Sequence, residues 1–246
     1  MTRKKIKNFN DFQDLAKQES LDSSEVIDFP SELRAGFEQN IILDLESKLP
    51  KLNQFNSKVL DIGSGCGQLT LDLIENTFNK SQELHLVDGT DVLNRIPTAD
   101  HVIKHFGKFE NIAEFENGYD SYFDIIICYS TFQYIYSEFP INLFLERALK
   151  LLNNQGMLLI GDIPNKSMRD RMLSSEYGQS FHKNYTQTDS TPAVKRYDFG
   201  ANEIDDSIIF SLLMRARNLG YQSYCLPQNA NLAFANRRED ILIVKY

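Results

Sequence analysis

Short apolar runs alternate along most of the chain with stretches in which apolar positions recur every third or fourth residue. This is how a parallel sheet with crossover helices reads. The runs place strands near 57–62, 83–88, 100–106, 123–129 and 156–163. Phe123-Asp124-Ile125-Ile126-Ile127-Cys128 does not alternate with polar residues, as expected of a central strand covered on both faces. Ile141, Phe144, Leu145, Ala148 and Leu152 follow at helical spacing, with Ser137 and Pro140 before them and Gly156 after, and predict one amphipathic crossover helix. Ile208, Ile209, Leu212, Leu213 and Ala216 predict a second, from about Asp206 to Leu219, stopped at Gly220. Two further strands are expected near 221–226 and 240–246. Only Pro227 to Glu239 separates them, without a helical pattern, so they should pair as an antiparallel hairpin at the end of the sheet. The result is an α/β, doubly wound, mostly parallel sheet.

Two segments stand outside the alternation. Residues 1–56 are polar and helical in pattern, ending in an amphipathic helix from Gly36 to Leu49, and read as an extension or lid on a domain spanning 57–246. Pro164 to Ala201 is a long polar insertion, and loops of that length are usually lids or binding elements.

Charge and composition exclude several roles. Lys and Arg number 26 against 34 Asp and Glu, a net charge of −8, the wrong sign for gripping nucleic-acid phosphates over a broad surface. The basic start, Arg3-Lys4-Lys5, leads into polar Asn8, Asn10 and Asp11 instead of the apolar stretch of an export signal, and no apolar run approaches the roughly 20 residues that span a bilayer. Cys66, Cys128 and Cys225 form no CxxC pair. A soluble protein of the cytoplasm, with no metal site and no membrane partner, is expected.

The chemistry is concentrated in Val59-Leu60-Asp61-Ile62-Gly63-Ser64-Gly65-Cys66-Gly67-Gln68, where an apolar strand runs into a glycine-rich turn and then an amphipathic helix. Such a turn lies at the carboxyl end of a strand and near a helix N-terminus, the usual ligand position in these sheets. The next strand ends in Asp88, a carboxylate placed to accept hydrogen bonds from the two hydroxyls of a ribose. A dinucleotide site needs G-x-G-x-x-G, and Gln68 stands where its third glycine would be, which argues against an NAD-linked oxidoreductase.

With an acidic residue followed by G-x-G-x-G, Asp61 through Gly67, the stretch resembles the first motif of class I S-adenosylmethionine-dependent methyltransferases. The resemblance covers about 57–163 and, more weakly, the terminal hairpin. It implies a seven-stranded sheet in the order 3-2-1-4-5-7-6, the last strand antiparallel, with S-adenosylmethionine as cofactor. By position, Gly63, Ser64, Gly65 and Gly67 would line the methionine moiety, while Asp88 and Gly89 would hold the ribose. Asp61 would order the loop or face the cofactor amino group. Gly107-Lys108-Phe109 would lie against the adenine, although the family often has an acid where Lys108 stands. Cys128 and Tyr129, with Ser130, would offer carbonyls to the cofactor and side chains to the acceptor.

Methyl transfer from a sulfonium is an in-line displacement, so alignment in a dry site does most of the work. A hydroxyl acceptor also benefits from a base. Many small-molecule members carry a histidine after the fourth strand, whereas this chain reads Ser130-Thr131-Phe132-Gln133-Tyr134. The candidates are Asp162 at the end of the fifth strand, His182 in the insertion, and Tyr134. His101 and His105 lack the glutamate of a metalloprotease helix and read as structural.

The motifs of DNA base-amino, arginine and catechol-type methyltransferases are absent, which leaves a small-molecule or glycan-precursor acceptor and O-methylation. Gly161-Asp162-Ile163-Pro164-Asn165, leading into a cationic stretch, resembles bacterial methyltransferases that decorate surface polysaccharides. Arg169, Arg171, Lys183, Lys195 and Arg196 there, and Ser31-Glu32-Leu33-Arg34 before the domain, are candidates to recognise a phosphate or carboxylate on the acceptor, while the interspersed Asp170, Glu176 and Asp189 read equally as an ordinary solvated lid. A protein or RNA methyltransferase and a non-catalytic S-adenosylmethionine-binding module are the alternatives.

Overall fold

The computed structural model of the protein describes residues 8–18, 20–21, 23–26, 37–194 and 203–246. Gly36, Ser31 to Arg34, Lys195, Arg196 and the end of the insertion lie outside them. Seven strands form one sheet in the order β3-β2-β1-β4-β5-β7-β6. They are β1 (Lys58–Ile62), β2 (Glu83–Asp88), β3 (Val102–Phe106), β4 (Phe123–Tyr129), β5 (Leu152–Pro164), β6 (Gln222–Pro227) and β7 (Arg238–Val244). The first five pair in parallel, and β7 enters antiparallel between β5 and β6. Every expected strand is present, as is the terminal hairpin. One boundary is corrected: β5 begins at Leu152, because Leu152 pairs with Phe123 ahead of a register shift that returns the ladder to step at Ile125–Met157.

Helices cover both faces of this sheet, and the period-two alternation of each strand divides the core accordingly. On one face Leu60, Ile62, Ile126, Cys128, Leu158 and Ile160 pack against α8 (Ile141–Leu151) and α11 (Asp206–Asn218). On the other, Val59, Leu84, Leu86, Ile125 and Ile127 meet α3 (Glu38–Lys48), α4 (Gln68–Asn79) and the short α5 (Thr90–Leu93). Each fully buried Leu, Ile or Phe contributes about 1.5–3 kcal/mol. The start of α11 is fixed by the Asp205 carboxylate, which accepts from the backbone N–H groups of Ser207 and Ile208.

Two N-terminal helices, α1 (Phe9–Ala16) and α2 (Ser23–Val26), precede α3. The short α6 (Glu114–Asn117) follows β3, and α7 (Phe132–Glu138) follows β4. The insertion after β5 folds as α9 (Lys166–Leu173) and α10 (Glu176–Thr186). No helix among the described residues is long and apolar enough to cross a membrane. His105 is buried within 2.8 Å of His85, which in turn meets Glu83 at 2.8 Å, while His101 Nε2 lies 3.1 Å from the Ile74 carbonyl. His105 is built into the packing of β2 and β3, and His101 holds the start of β3 against α4.

Candidate functional site

A cavity of about 330 Å³ opens at the carboxyl ends of β1, β2 and β4. The loop after β1 forms its floor. Gly63 and Gly65 adopt φ of +72° and +66°, a region L-residues with side chains avoid, so the turn depends on glycine. The Gly63 and Ser64 N–H groups donate to the Val87 carbonyl at 2.8 and 3.2 Å, tying the loop to the end of β2. Thr131, entering α7, donates from Oγ1 to the Gly63 carbonyl at 3.0 Å and to the Tyr129 carbonyl at 3.1 Å. Thr70 Oγ1 donates to the Ser64 carbonyl at 2.6 Å. Loop, β2 and β4 are thereby held as one rigid cradle.

Asp88 lines the cavity at the end of β2, accepting from Gly65 N at 2.9 Å and Gly89 N at 2.7 Å. Burial pushes its pKa up to about 6 against the pull of those two amides. Asp61 lies beneath the loop, 7 % exposed, with no donor among the described residues reaching its carboxylate. Burial, with the charge of Asp88 added, pushes its pKa up to about 7. Both values exceed the roughly 3.9 of an unfolded aspartate, so the stability these groups contribute is full below that pH and is lost as pH rises through 6 and 7. The thermal midpoint of the ligand-free protein should therefore fall between pH 5.5 and 8. Asp61→Asn is expected to flatten much of that slope and raise the midpoint at pH 8; a wild-type slope in the variant would refute the assignment.

Gly107, Lys108 and Phe109 line the cavity next to Asp88. Lys108 pairs with Glu138 of α7 at 2.9 Å and lies 5.4 Å from the centre of the Phe9 ring, so it ties α1 and α7 across the cavity. Two expected cofactor residues stand elsewhere. Cys128 points into the core beneath α8 and is fully buried, because the strand alternation that turns Tyr129 to the cavity turns Cys128 away. Gly89 is crowded by α1: a Cβ there would lie 1.7 Å from Gln13 Nε2, so glycine admits the helix.

The remaining wall is formed by Tyr129, Ser130, Tyr134, Phe234 and Arg238. Tyr134 meets Phe12 of α1 edge-on at 4.9 Å. Asp162, expected as a base, sits behind this wall. It accepts from Ser130 Oγ, from Gln228 Nε2 at 3.2 Å and from the Arg238 guanidinium at 2.5 Å, while its own N–H donates to Asp240. Asp240 and Asp44 share Lys48, at 2.7 and 2.5 Å. Absent from the cavity lining and with its carboxylate occupied by Ser130, Gln228 and Arg238, Asp162 orients Ser130 and Arg238 in the wall. His182 also falls away from the cavity, on α10 with Nε2 3.4 Å from Ser190 Oγ.

The described part of the insertion contributes no residue to the cavity lining. Phe9, Phe12 and Val26 of the N-terminal segment line it in its place. The insertion's described cations are matched by acids: Arg169 with Glu203 and Asp170, Arg171 with Asp206, and Lys183 with Asp189. Sequence reasoning missed Phe12, Thr131, Gln228, Phe234 and Arg238. Of these, only Phe12 carried a local signal, the Phe9–Phe12 spacing of one helical face; the rest are brought to the site by the register of β7 and the turn after β4.

No family model and no curated protein matches the sequence. Solved structures match the fold over nearly its whole length. The plantazolicin methyltransferase BpumL, in complex with a monoazolic desmethylPZN analog and SAH, superposes with a TM-score of 0.60 at 15% identity, over 96% of this chain and 98% of that one. An S-adenosylmethionine-dependent methyltransferase structure from Listeria monocytogenes gives 0.58 at 15% identity, over 87% and 99%. The N-methyltransferase NodS from Bradyrhizobium japonicum WM9, in complex with S-adenosyl-L-homocysteine, gives 0.56 at 14%, over 96% and 98%. The fold is that of the class I S-adenosylmethionine-dependent methyltransferases.

Proposed function

We propose that the protein is an S-adenosylmethionine-dependent methyltransferase that methylates an oxygen of a small, sugar-like or glycan-precursor acceptor. The observation that carries this reading is the Asp88 carboxylate, held by the Gly65 and Gly89 amides beside the glycine loop and lining the cavity, where it would accept from a ribose diol. Three folds of like topology whose names declare methyltransferases, two of them with the demethylated cofactor bound, support it.

Bound there, S-adenosylmethionine would supply a methyl carbon to the acceptor's lone pair, the carbon–sulfur electrons returning to sulfur as the acceptor loses its proton. The Gly63–Gly67 loop and Asp88 would fix the cofactor, and Gly107 and Phe109 would bound its base. Ser130, Tyr134 and Arg238 line the acceptor space, with Ser130 and Arg238 held in place by the Asp162 carboxylate behind them.

Helices α1 and α2 act as the lid in this reading. Arg95, just after α5, donates to the carbonyls of Ala16, Gln18 and Leu21 at 3.0, 2.7 and 2.7 Å and so pins the end of α1. Arg95→Ala is expected to speed cofactor release about tenfold in stopped-flow experiments while leaving the thermal midpoint of the sheet nearly unchanged, a loss of roughly 1–2 kcal/mol in closure. An unaltered release rate would remove the lid.

The functional test is transfer of labelled methyl from S-adenosylmethionine into a size-fractionated extract of the source cell, with Asp88→Ala as control. Label in the low-mass or glycan fraction, absent with the variant, supports the proposal. Label confined to protein or RNA overturns the acceptor class, and cofactor binding without label anywhere favours the non-catalytic module.

A further inference from the structure

The described cations of the insertion are neutralised by carboxylates, but Arg237, at the foot of β7, has no such partner among the described residues. Its guanidinium takes part in no hydrogen bond and no ion pair among the described residues. It lies 5.6 Å from the centre of the Phe181 ring on α10 and 4.7 Å from that of Phe234, and the chain around it is half-buried. Burial, with Arg238 and Arg169 nearby, pushes its pKa down. In a chain with a net charge of −8, an unmatched guanidinium held between rings among other arginines is a costly arrangement. It becomes favourable when an anion fills the gap, because a planar guanidinium stacked on aromatic rings keeps its donor edge free and fixed in direction.

Phe234 carries the guanidiniums of both arginines, Arg238 standing 4.8 Å from the ring centre, and Phe234 and Arg238 line the cavity. The unmatched charge is therefore one ring removed from the acceptor space. We propose that Arg237 binds an oxyanion, a carboxylate or a phosphate, on a part of the acceptor that extends past Phe234 beyond the cavity wall, so that the acceptor class is an acidic or phosphorylated molecule. This rests on the cavity being the methyl-transfer site.

The test is a thermal-shift titration of the full chain, with and without S-adenosylhomocysteine, using inorganic phosphate in one arm and acetate in the other at constant ionic strength in chloride. A saturable rise in the wild type is expected. Arg237→Gln should weaken the effective arm about tenfold or more while keeping the wild-type affinity for S-adenosylhomocysteine. Stabilisation by phosphate alone assigns a phosphate ester, and stabilisation by acetate assigns a carboxylate. No saturable shift with either anion, or one undiminished in Arg237→Gln, overturns the proposal. If Arg237→Gln does not fold, Arg237→Lys keeps the charge without the planar fork and must still lose part of the anion affinity. Failure of the methyltransferase reading would register separately, as absence of S-adenosylhomocysteine binding in the wild type.

Discussion

Gly63→Ala is expected to abolish measurable cofactor binding at micromolar concentrations. A Cβ at this position would lie 2.2 Å from Thr131 Cγ2 and 2.7 Å from Thr131 Oγ1, far inside van der Waals contact. Thr131 cannot rotate away without giving up its bonds to the Gly63 and Tyr129 carbonyls. Overpacking of this kind costs about 1–3 kcal/mol. The φ of +72° adds about 1–2 kcal/mol for any residue with a side chain. Both costs fall on the loop that forms the cavity floor, so the loop moves and the ligand is lost. The double variant with Thr131→Gly removes the collision and leaves only the backbone cost. Calorimetry with S-adenosylhomocysteine should find affinity partly regained in the double variant. A double variant no better than Gly63→Ala would show that the collision is not the cause.

Asp88→Ala should weaken S-adenosylhomocysteine binding by about 30- to 150-fold, the equivalent of one charge-assisted hydrogen bond of roughly 2–3 kcal/mol. The loss is specific to the ligand: the variant sheds a buried carboxyl that resists ionisation but also leaves the Gly65 and Gly89 amides without their acceptor, and the two effects on folding oppose each other. A pH series separates this from a general loosening of the loop. Asp88 binds hydroxyls best when ionised, so wild-type affinity should rise from pH 5.5 to 7 as the group titrates near 6. The variant should lose that rise and keep only the dependence that Asp61 imparts, shifted to lower pH because the charge of Asp88 no longer raises its pKa. An identical pH profile in both would place the ribose elsewhere.

The cofactor half of the site is readable from the sequence because it is local. Strand, glycine turn and helix lie within a dozen residues, and Asp88 ends the adjacent strand, so spacing alone brings them together. The acceptor half is not local. Arg238 reaches the cavity because β7 pairs antiparallel with β5, setting Arg238 opposite Pro164 and letting it reach back to Asp162 across 76 positions of sequence. Nothing near Arg238 in the sequence announces that register. Cys128 and Tyr129 illustrate a smaller failure: both end an apolar run, and only the sheet's two-sided packing decides which faces the ligand. The insertion looked like the lid for its length and charge. Its described cations are spent on acids within it and just after it, whereas the sparse Phe9 and Phe12 of an otherwise polar segment close the cavity.

The place of β7 between β5 and the edge strand β6 bears on the order in which the molecule assembles. Lys48 and Asp240, joined at 2.7 Å, are separated by 192 positions, and closing so long a loop comes late when contacts form in order of their entropic cost. Strands β1 to β4, with the glycine loop and Asp88, can associate while β5 still has an open edge. A folding intermediate of this protein would thus hold nucleoside before it could recognise anything to modify, and cofactor added during refolding should accelerate the early phase while leaving the docking of β7 to set the slow one.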